Sequence, residues 1–334
     1  MKKILMVDTG RKYFNFKEMM AILDIMDKHR FDTLHWHFSD NEGFRIECDT
    51  GSEMVAENHF SKEEVKLIIR EAKAKQIKIL PELDTPGHLK PLLEVQPELR
   101  LKVENSTLSI PNNALDITNP KAVELVLLLI DEYIDLFNES SGFHIGVDEF
   151  IDFDQISKYP DLYHGAIEKY GTQASGLELY IEYVNQLIEF ICSKGLRPHV
   201  WSDGLYRLND SGLVEVDHRA VIHYWTRWNK NMAPLCTFIE KGHQLVNSND
   251  KYMYFVLGEN AGYQYPVPDK IIQGWQPLLF SDDQILPSGH QSLLEGVEYC
   301  IWCDKPNALT VEEILFRLDQ NLNAMNTVIA NYNK

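Results

Sequence analysis

A chain of 334 residues with 44% hydrophobic content can bury a sizeable core, and that length fits a single α/β barrel domain. Its formal net charge of −18 argues against a nucleic-acid backbone or an anionic membrane surface as partner and leaves a neutral or cationic small ligand. The five cysteines (Cys48, Cys192, Cys236, Cys300, Cys303) are odd in number and scattered, which excludes a disulfide framework, and Cys300-x-x-Cys303 without a second pair reads as buried strand thiols.

In chain order, short apolar segments alternate with longer amphipathic ones. The apolar run after Met1-Lys2-Lys3 stops at Val7, too short for a signal peptide, and predicts a first strand and a cytoplasmic protein. Phe16 to His29 carries apolar residues at helical spacing. Thr33 to Phe38 predicts the second strand, and Ser61-x-x-Glu64 is a capping box opening a helix from Val65 to Lys75. Ile77 to Glu82 is the third strand, followed by the polar loop Leu83-Asp84-Thr85-Pro86-Gly87-His88. Thr118-Asn119-Pro120 starts the next helix, and Phe143 to Val147 forms the fourth strand, which ends in the adjacent acids Asp148 and Glu149. Leu177 to Lys194 is helical and closes at Gly195. Strands follow at Arg197–Trp201, Ala220–Trp225, Gln244–Asn247 and Gly296–Trp302, with a short segment at Pro234–Lys241 and a last helix over Val311–Tyr332. Leu257 to Ser292 is expected to be an elaborated loop over the mouth. Eight strands alternating with helices is the count of a (β/α)₈ TIM barrel, here one domain over 1–334 with no separate N-terminal domain, and its active site belongs where strands end.

The polar residues fall at those ends. Asp8 and Arg11, Asp40, Glu82 with Asp84 and His88, Asp148 with Glu149, Trp201 with Asp203, Trp225, Tyr252 with Tyr254, and Trp302 with Asp304 all lie at or just past strand C-termini. Three tryptophans facing one mouth with acids between them suggest walls for the apolar faces of a sugar and hydrogen bonds for its rim. In a continuous strand Asp148 and Glu149 would point to opposite faces, unless a turn at the strand end brings them together.

His144-Ile145-Gly146-Val147-Asp148-Glu149 resembles the H-x-G-G-D-E signature of glycoside hydrolase family 20, the β-N-acetylhexosaminidases, with Val147 in place of the second glycine. Asp8-x-x-Arg11, His35-Trp36-His37-Phe38-Ser39-Asp40, Pro81-Glu82-Leu83-Asp84-Thr85-Pro86-Gly87-His88, Trp201-Ser202-Asp203-Gly204 and Ile301-Trp302-x-Asp304 match the family in order, and the likeness is greatest to single-barrel members of the dispersin type. The resemblance implies retaining hydrolysis of terminal β-linked N-acetylhexosamine, with no cofactor and no metal, on an oligosaccharide or glycoconjugate. The substrate's own acetamido oxygen would attack the anomeric carbon to give an oxazolinium, an exception to the two-carboxylate scheme. It implies Glu149 as general acid and base, a role needing a raised pKa, and Asp148 as acceptor of the acetamido N–H. Tyr252 would bond the acetamido oxygen, Trp201, Trp225 and Trp302 would box in the sugar, Arg11 and Asp304 would hold its hydroxyls, and Asp40 and His88 would support the acid. Tyr254 stands where many relatives carry an aspartate. Val147 is expected to pack behind the strand without a positive φ.

Two other readings compete. His35-x-His37 places two imidazoles on one strand face, as in metal-dependent amidohydrolase barrels, with His199, His223 and Asp304 as further ligands; that family's pair sits at the first strand, and the simpler account has both histidines satisfied by neighbouring polar groups. The third reading is a catalytically inactive amino-sugar-binding barrel, which would not need both Asp148 and Glu149.

Overall fold

The computed structural model describes residues 1–104 and 113–332. Eight parallel strands close a barrel: β1 (Lys2–Asp8), β2 (Thr33–His37), β3 (Lys78–Thr85), β4 (Gly142–Gly146), β5 (Arg197–Trp201), β6 (Val221–Tyr224), β7 (Gln244–Asn247) and β8 (Leu294–Trp302). Each pairs with its sequence neighbour, and β1 returns to β8 in a continuous register from Lys2 opposite Gly296 to Val7 opposite Ile301. The expected (β/α)₈ architecture and the positions of all eight strands hold.

The period-2 alternation of each strand divides the interior into layers. Leu5 and Val7 of β1, Leu34 and Trp36 of β2, and Val297, Tyr299 and Ile301 of β8 face outward into the large apolar cluster beneath the helices. The intervening residues fill the barrel. Ile4, Val221 and Val246 pack together as one small apolar cluster, and Met6, Trp201, Trp225, Tyr254, Val256 and Cys300 as another nearer the mouth. Between the apolar groups lies a buried polar layer built from His35, Glu82, His144, His199, His223 and Glu298. Both carboxylates of this layer are hydrogen-bonded, which offsets the cost of their burial: Glu298 accepts from His35 at 2.7 Å, His223 at 2.8 Å and Ser248 at 2.6 Å, and Glu82 accepts from Trp201 at 2.7 Å.

The outer helices are α1 (Phe16–Lys28), α2 (Lys62–Ala74), α3 (Pro120–Leu136), α4 (Pro160–Tyr170), α5 (Leu177–Ser193), α6 (Leu235–Glu240), α7 (Pro268–Gly274) and α8 (Val311–Tyr332). The Ser61 and Glu64 capping box forms as its spacing predicts, so α2 begins at Lys62. That start precedes the expected Val65, and several strand ends shift by a residue or two; two larger differences from the sequence reading have physical reasons. β3 continues to Thr85 because Asp84 and Thr85 are buried at the barrel's inner rim, not solvated in a loop. The stretch 257–292 is not one loop over the mouth: it contains α7, and only its first residues, around Asn260 to Tyr263, reach the mouth. Among the described residues no helix is long and apolar enough to cross a membrane.

The chain between β7 and β8 is the least regular part of the barrel. β7 pairs with the first half of β8, a helical turn at Asp250–Met253 follows, and a second short strand, Tyr254–Val256, then pairs with the last residues of β8, Tyr254 opposite Cys300 and Val256 opposite Trp302. The seventh barrel position is thus occupied by two pieces, and the second delivers its side chains to the mouth.

Candidate active site

A cavity of about 420 Å³ opens at the C-terminal ends of the strands. It brings together Arg11, Asp40, His88, Asp148, Glu149, Trp201, Trp225, Trp302 and Asp304, every residue expected there except Tyr252.

The two acids share the cavity because the strand ends before them. β4 stops at Gly146, and Gly146, Val147 and Glu149 take φ of +68°, +74° and +45°, a tight reversal that cancels the strand alternation. Gly146 is obligatory here, since an added Cβ would lie 1.7 Å from Asp84 Oδ1. Val147 contradicts the expectation of a negative φ. A β-branched residue in the left-handed region carries strain of order 1–3 kcal/mol, offset by comparable burial of its side chain in the apolar cluster. Its backbone is held at both ends, with its N–H donating to Thr85 O at 3.1 Å and its carbonyl accepting from the Tyr180 hydroxyl at 2.5 Å. The side chain does pack behind the strand, as expected.

His88, at the end of the loop after β3, faces both acids. Its Nε2 lies 3.8 Å from Asp148 Oδ2 and 3.7 Å from Glu149 Oε2, and its Nδ1 is 3.1 Å from Asp40 Oδ1. Burial alone would push the imidazole down, but Asp40 and Asp84 outweigh it and hold the pKa well above the usual histidine range. Burial would likewise raise Asp40, yet Arg11 and His88 hold it well below the usual carboxylate range. Arg11 pairs with Asp8 and Asp40 at 2.9 Å each, and its guanidinium lies 5.4 Å from the Trp302 ring.

The aromatic wall is anchored by carboxylates beneath it. Trp201 Nε1 donates to Glu82 Oε1 at 2.7 Å, and Trp225 Nε1 donates to Asp203 Oδ1 at 3.0 Å. The other Asp203 oxygen accepts from the Glu149 backbone N–H at 3.0 Å, so one side chain ties the acid loop to the tryptophan wall. Trp201 and Trp302 stand 5.8 Å apart, Tyr254 lies 5.9 Å from Trp302, and Tyr254 stacks on Trp225 at 5.7 Å.

Tyr252 does not join them. It lies on the helical turn Asp250–Met253, packs against Gly274 of α7, and lines a different surface depression. Of the two, Tyr254, where the strand resumes, lines the cavity, and two residues on, Val256 also lines it. The sequence placed both tyrosines at a strand end but could not show that a helical turn separates them. Other lining residues went unassigned, namely Trp228, Asn260, Ala261 and Tyr263; Asn260 Nδ2 donates to Asp304 Oδ2 at 2.9 Å. Asp203 and Glu82 were visible as strand-end acids, but their role as tryptophan anchors depends on long-range packing.

His35 and His37 are engaged by carboxylates. His35 Nδ1 lies 2.7 Å from Glu298, and the His37 nitrogens lie 2.6 Å from Glu82 and 2.9 Å from Asp40. Burial would lower His35, but Glu82 and Glu298 push it up to about 9. His199 and His223 bond one another at 3.0 Å. The geometry agrees with histidines satisfied by barrel polar groups.

Asp84 is the least compensated acid. It is buried, neither oxygen has a hydrogen-bond partner among the described residues, and burial beside Glu82 pushes it up to about 7, against His88, which pulls it down. A carboxyl whose folded pKa exceeds its unfolded value of 3.8 weighs against folding as pH rises above 3.8, and fully above 7. Asp84→Asn is therefore expected to raise the melting temperature at about pH 8, by on the order of 3 kcal/mol of stability, and to change it little near pH 4. Thermal melts at the two pH values check this, and an equal effect at both would refute it.

Fold and site define a (β/α)₈ barrel with an acid and tryptophan cavity at its C-terminal mouth. Residues 3–317 match the family model for the catalytic domain of glycosyl hydrolase family 20, and the chain belongs to that family. It is similar to a lacto-N-biosidase from Bifidobacterium bifidum (26% identity over 80% of this chain and 23% of that protein) and to a β-hexosaminidase from Emericella nidulans (26% over 78% of this chain and 44% of that protein). The chain thus spans less than half the length of these curated relatives. Among solved structures, dispersin B superposes with a TM-score of 0.77 at 22% identity, covering 98% of this chain and 99% of that one. A β-N-acetylhexosaminidase from Bacteroides fragilis gives 0.78 at 21%, covering 98% of this chain and 65% of that one. At these identities the superpositions speak to the fold alone.

Proposed function

We propose that the protein is a retaining β-N-acetylhexosaminidase that releases terminal β-linked GlcNAc or GalNAc by substrate-assisted catalysis. The observation that carries this reading is the placement of Asp148 and Glu149 side by side, 3.8 and 3.7 Å from His88, in one cavity with three tryptophans and Tyr254. Adjacent acids suit unequal roles better than attack from two faces. Glu149, its side chain half exposed, would protonate the leaving oxygen and later deprotonate water. Asp148 is buried, and its Oδ1 has no hydrogen-bond partner among the described residues, which suits an acceptor for the substrate's acetamido N–H. Burial and the neighbouring Asp84 hold Asp148 well above the usual carboxylate range, so a positive charge developing on the oxazolinium would draw it toward the ionised form. Tyr254, rather than Tyr252, would donate to the acetamido oxygen. Arg11 and Asp304 would hold the sugar hydroxyls at the rim.

The retention of both acids at the cavity favours turnover over a binding-only barrel. The expected result is release of nitrophenol from the aryl β-N-acetylglucosaminide and not from the aryl β-glucoside, which lacks the amide. Competitive inhibition by a thiazoline analogue of the oxazoline should accompany it. Equal rates on the two aryl glycosides, or none on either, would overturn the proposal.

A further inference from the structure

Beside the acid pair, the barrel mouth holds a group of buried polar atoms that hydrolysis does not account for. Asp84, His88 and Asp148 are 1%, 6% and 8% exposed, and one atom from each lies within 4.8 Å of the others. Both Asp84 oxygens, His88 Nε2 and Asp148 Oδ1 have no hydrogen-bond partner among the described residues. Buried polar atoms are ordinarily satisfied, so acceptors gathered in this way mark a place for something that brings positive charge. The hydrolase reading gives Asp148 Oδ1 to the substrate and leaves the others without a use.

The three side chains are fixed on the end of β3, the loop after it, and the reversal after β4. His88 Nδ1 faces Asp40 Oδ1 at 3.1 Å, and Asp40 is itself tied to Arg11 and His37 at 2.9 Å each. That leaves His88 Nε2 toward the acids, 3.8 Å from Asp148 Oδ2 and 3.7 Å from Glu149 Oε2. A carboxylate behind an imidazole is the usual support of a metal-binding histidine, because it settles which ring nitrogen is presented to the ion. One imidazole nitrogen with two carboxylates suits zinc, whereas calcium and magnesium ask for a larger shell of oxygens. An ion can arrive through the cavity, which His88 and Asp148 line, and the chain's net charge of −18 draws cations to it.

We propose that Asp84, His88 and Asp148 bind a divalent ion of the zinc class, with Glu149 or water in the fourth position, and that its binding blocks turnover. The ion takes the place of protons on these side chains, which pass to solvent, and the two carboxylates neutralise its charge. The block, unlike the binding, rests on the hydrolase reading: an ion held on Asp148 and facing Glu149 denies the first to the substrate's amide and the second to the leaving oxygen.

Calorimetric titration of zinc chloride into wild type, Asp84→Asn and His88→Gln, in a buffer that does not chelate, reads binding without reference to turnover. One site is expected in the wild type, with affinity lower by about tenfold or more in each variant whose melting curve shows it folded. Magnesium chloride should bind far more weakly. On the aryl β-N-acetylglucosaminide at low substrate, zinc at ten times its Kd should slow the wild type about tenfold, reversibly with EDTA, and slow Asp84→Asn far less relative to that variant's own metal-free rate. Absence of zinc binding, equal affinity in wild type and variants, or magnesium binding as tightly as zinc overturns the site. Zinc that binds as expected and leaves turnover unchanged overturns the block. If the wild type hydrolyses nothing, the hydrolase reading has failed, and the titrations still decide the site.

Discussion

Glu149→Gln is expected to lower kcat on a poorly activated glycoside by about 10²–10⁴ while leaving the fold intact. Glutamine keeps the shape of the side chain and its backbone N–H bond to Asp203 but has no proton to give and no lone pair basic enough to take one from water. The Glu149 side chain is 50% exposed, so the change buries no new polar group and the melting temperature should stay within a degree or two. The leaving group supplies an internal control. An aryl glycoside with a strongly acidic phenol needs little protonation, so its first step should be affected far less than that of a methyl glycoside. Wild-type rates on both would remove Glu149 from the mechanism. A loss accompanied by a lower melting temperature would point to a structural role instead.

Tyr254→Phe should cost about 10²–10³ in kcat, the usual consequence of deleting one donor to charge that develops in the transition state, with a smaller effect on KM. Tyr252→Phe should change kcat by less than about threefold. The contrast is sharp because the two residues are two apart in the chain and differ in surroundings: Tyr254 stacks on Trp225 inside the cavity, whereas Tyr252 packs on Gly274 outside it. The reverse pattern of losses would return the role to Tyr252. Measuring both variants with an N-acetyl substrate and its N-trifluoroacetyl analogue adds a second readout, since a weaker amide nucleophile should depend more on the residue that orients it.

Much of this molecule was legible in residue order. The alternation of short apolar runs with amphipathic segments located eight strands, and the terminal helix Val311–Tyr332 and strands Arg197–Trp201 and Gln244–Asn247 matched at both ends. The strand Arg197–Trp201 begins just after a local signal, the Gly195 turn, and the Ser61 capping box likewise marks where α2 starts. The tendency of chemistry-bearing residues to follow strand ends was enough to gather nine of the ten expected site residues, because in a closed parallel barrel every strand C-terminus meets the same mouth. Helix α4 was missed although Pro160 at its first turn and Gly171 after its last residue mark it.

The remainder was decided in three dimensions. Whether Tyr252 or Tyr254 faces the cavity depends on a single helical turn inserted between two pieces of strand, and that turn is stabilised by what α7 and β8 offer it, not by its own four residues. The φ of Val147 is dictated by the reversal that brings Asp148 and Glu149 into one cavity, with Tyr180 and Thr85 holding its backbone in place; local preference argued the other way and lost. The charge states of His88, Asp40 and Asp84 follow from burial and from neighbours as distant in the chain as Asp148 is from His88, which no window along the chain can contain. Residue order alone established the barrel and the face that carries its chemistry, because hydrophobic period and strand polarity are local properties; the inward residues and their protonation needed the closed barrel, because both are set by long-range contacts.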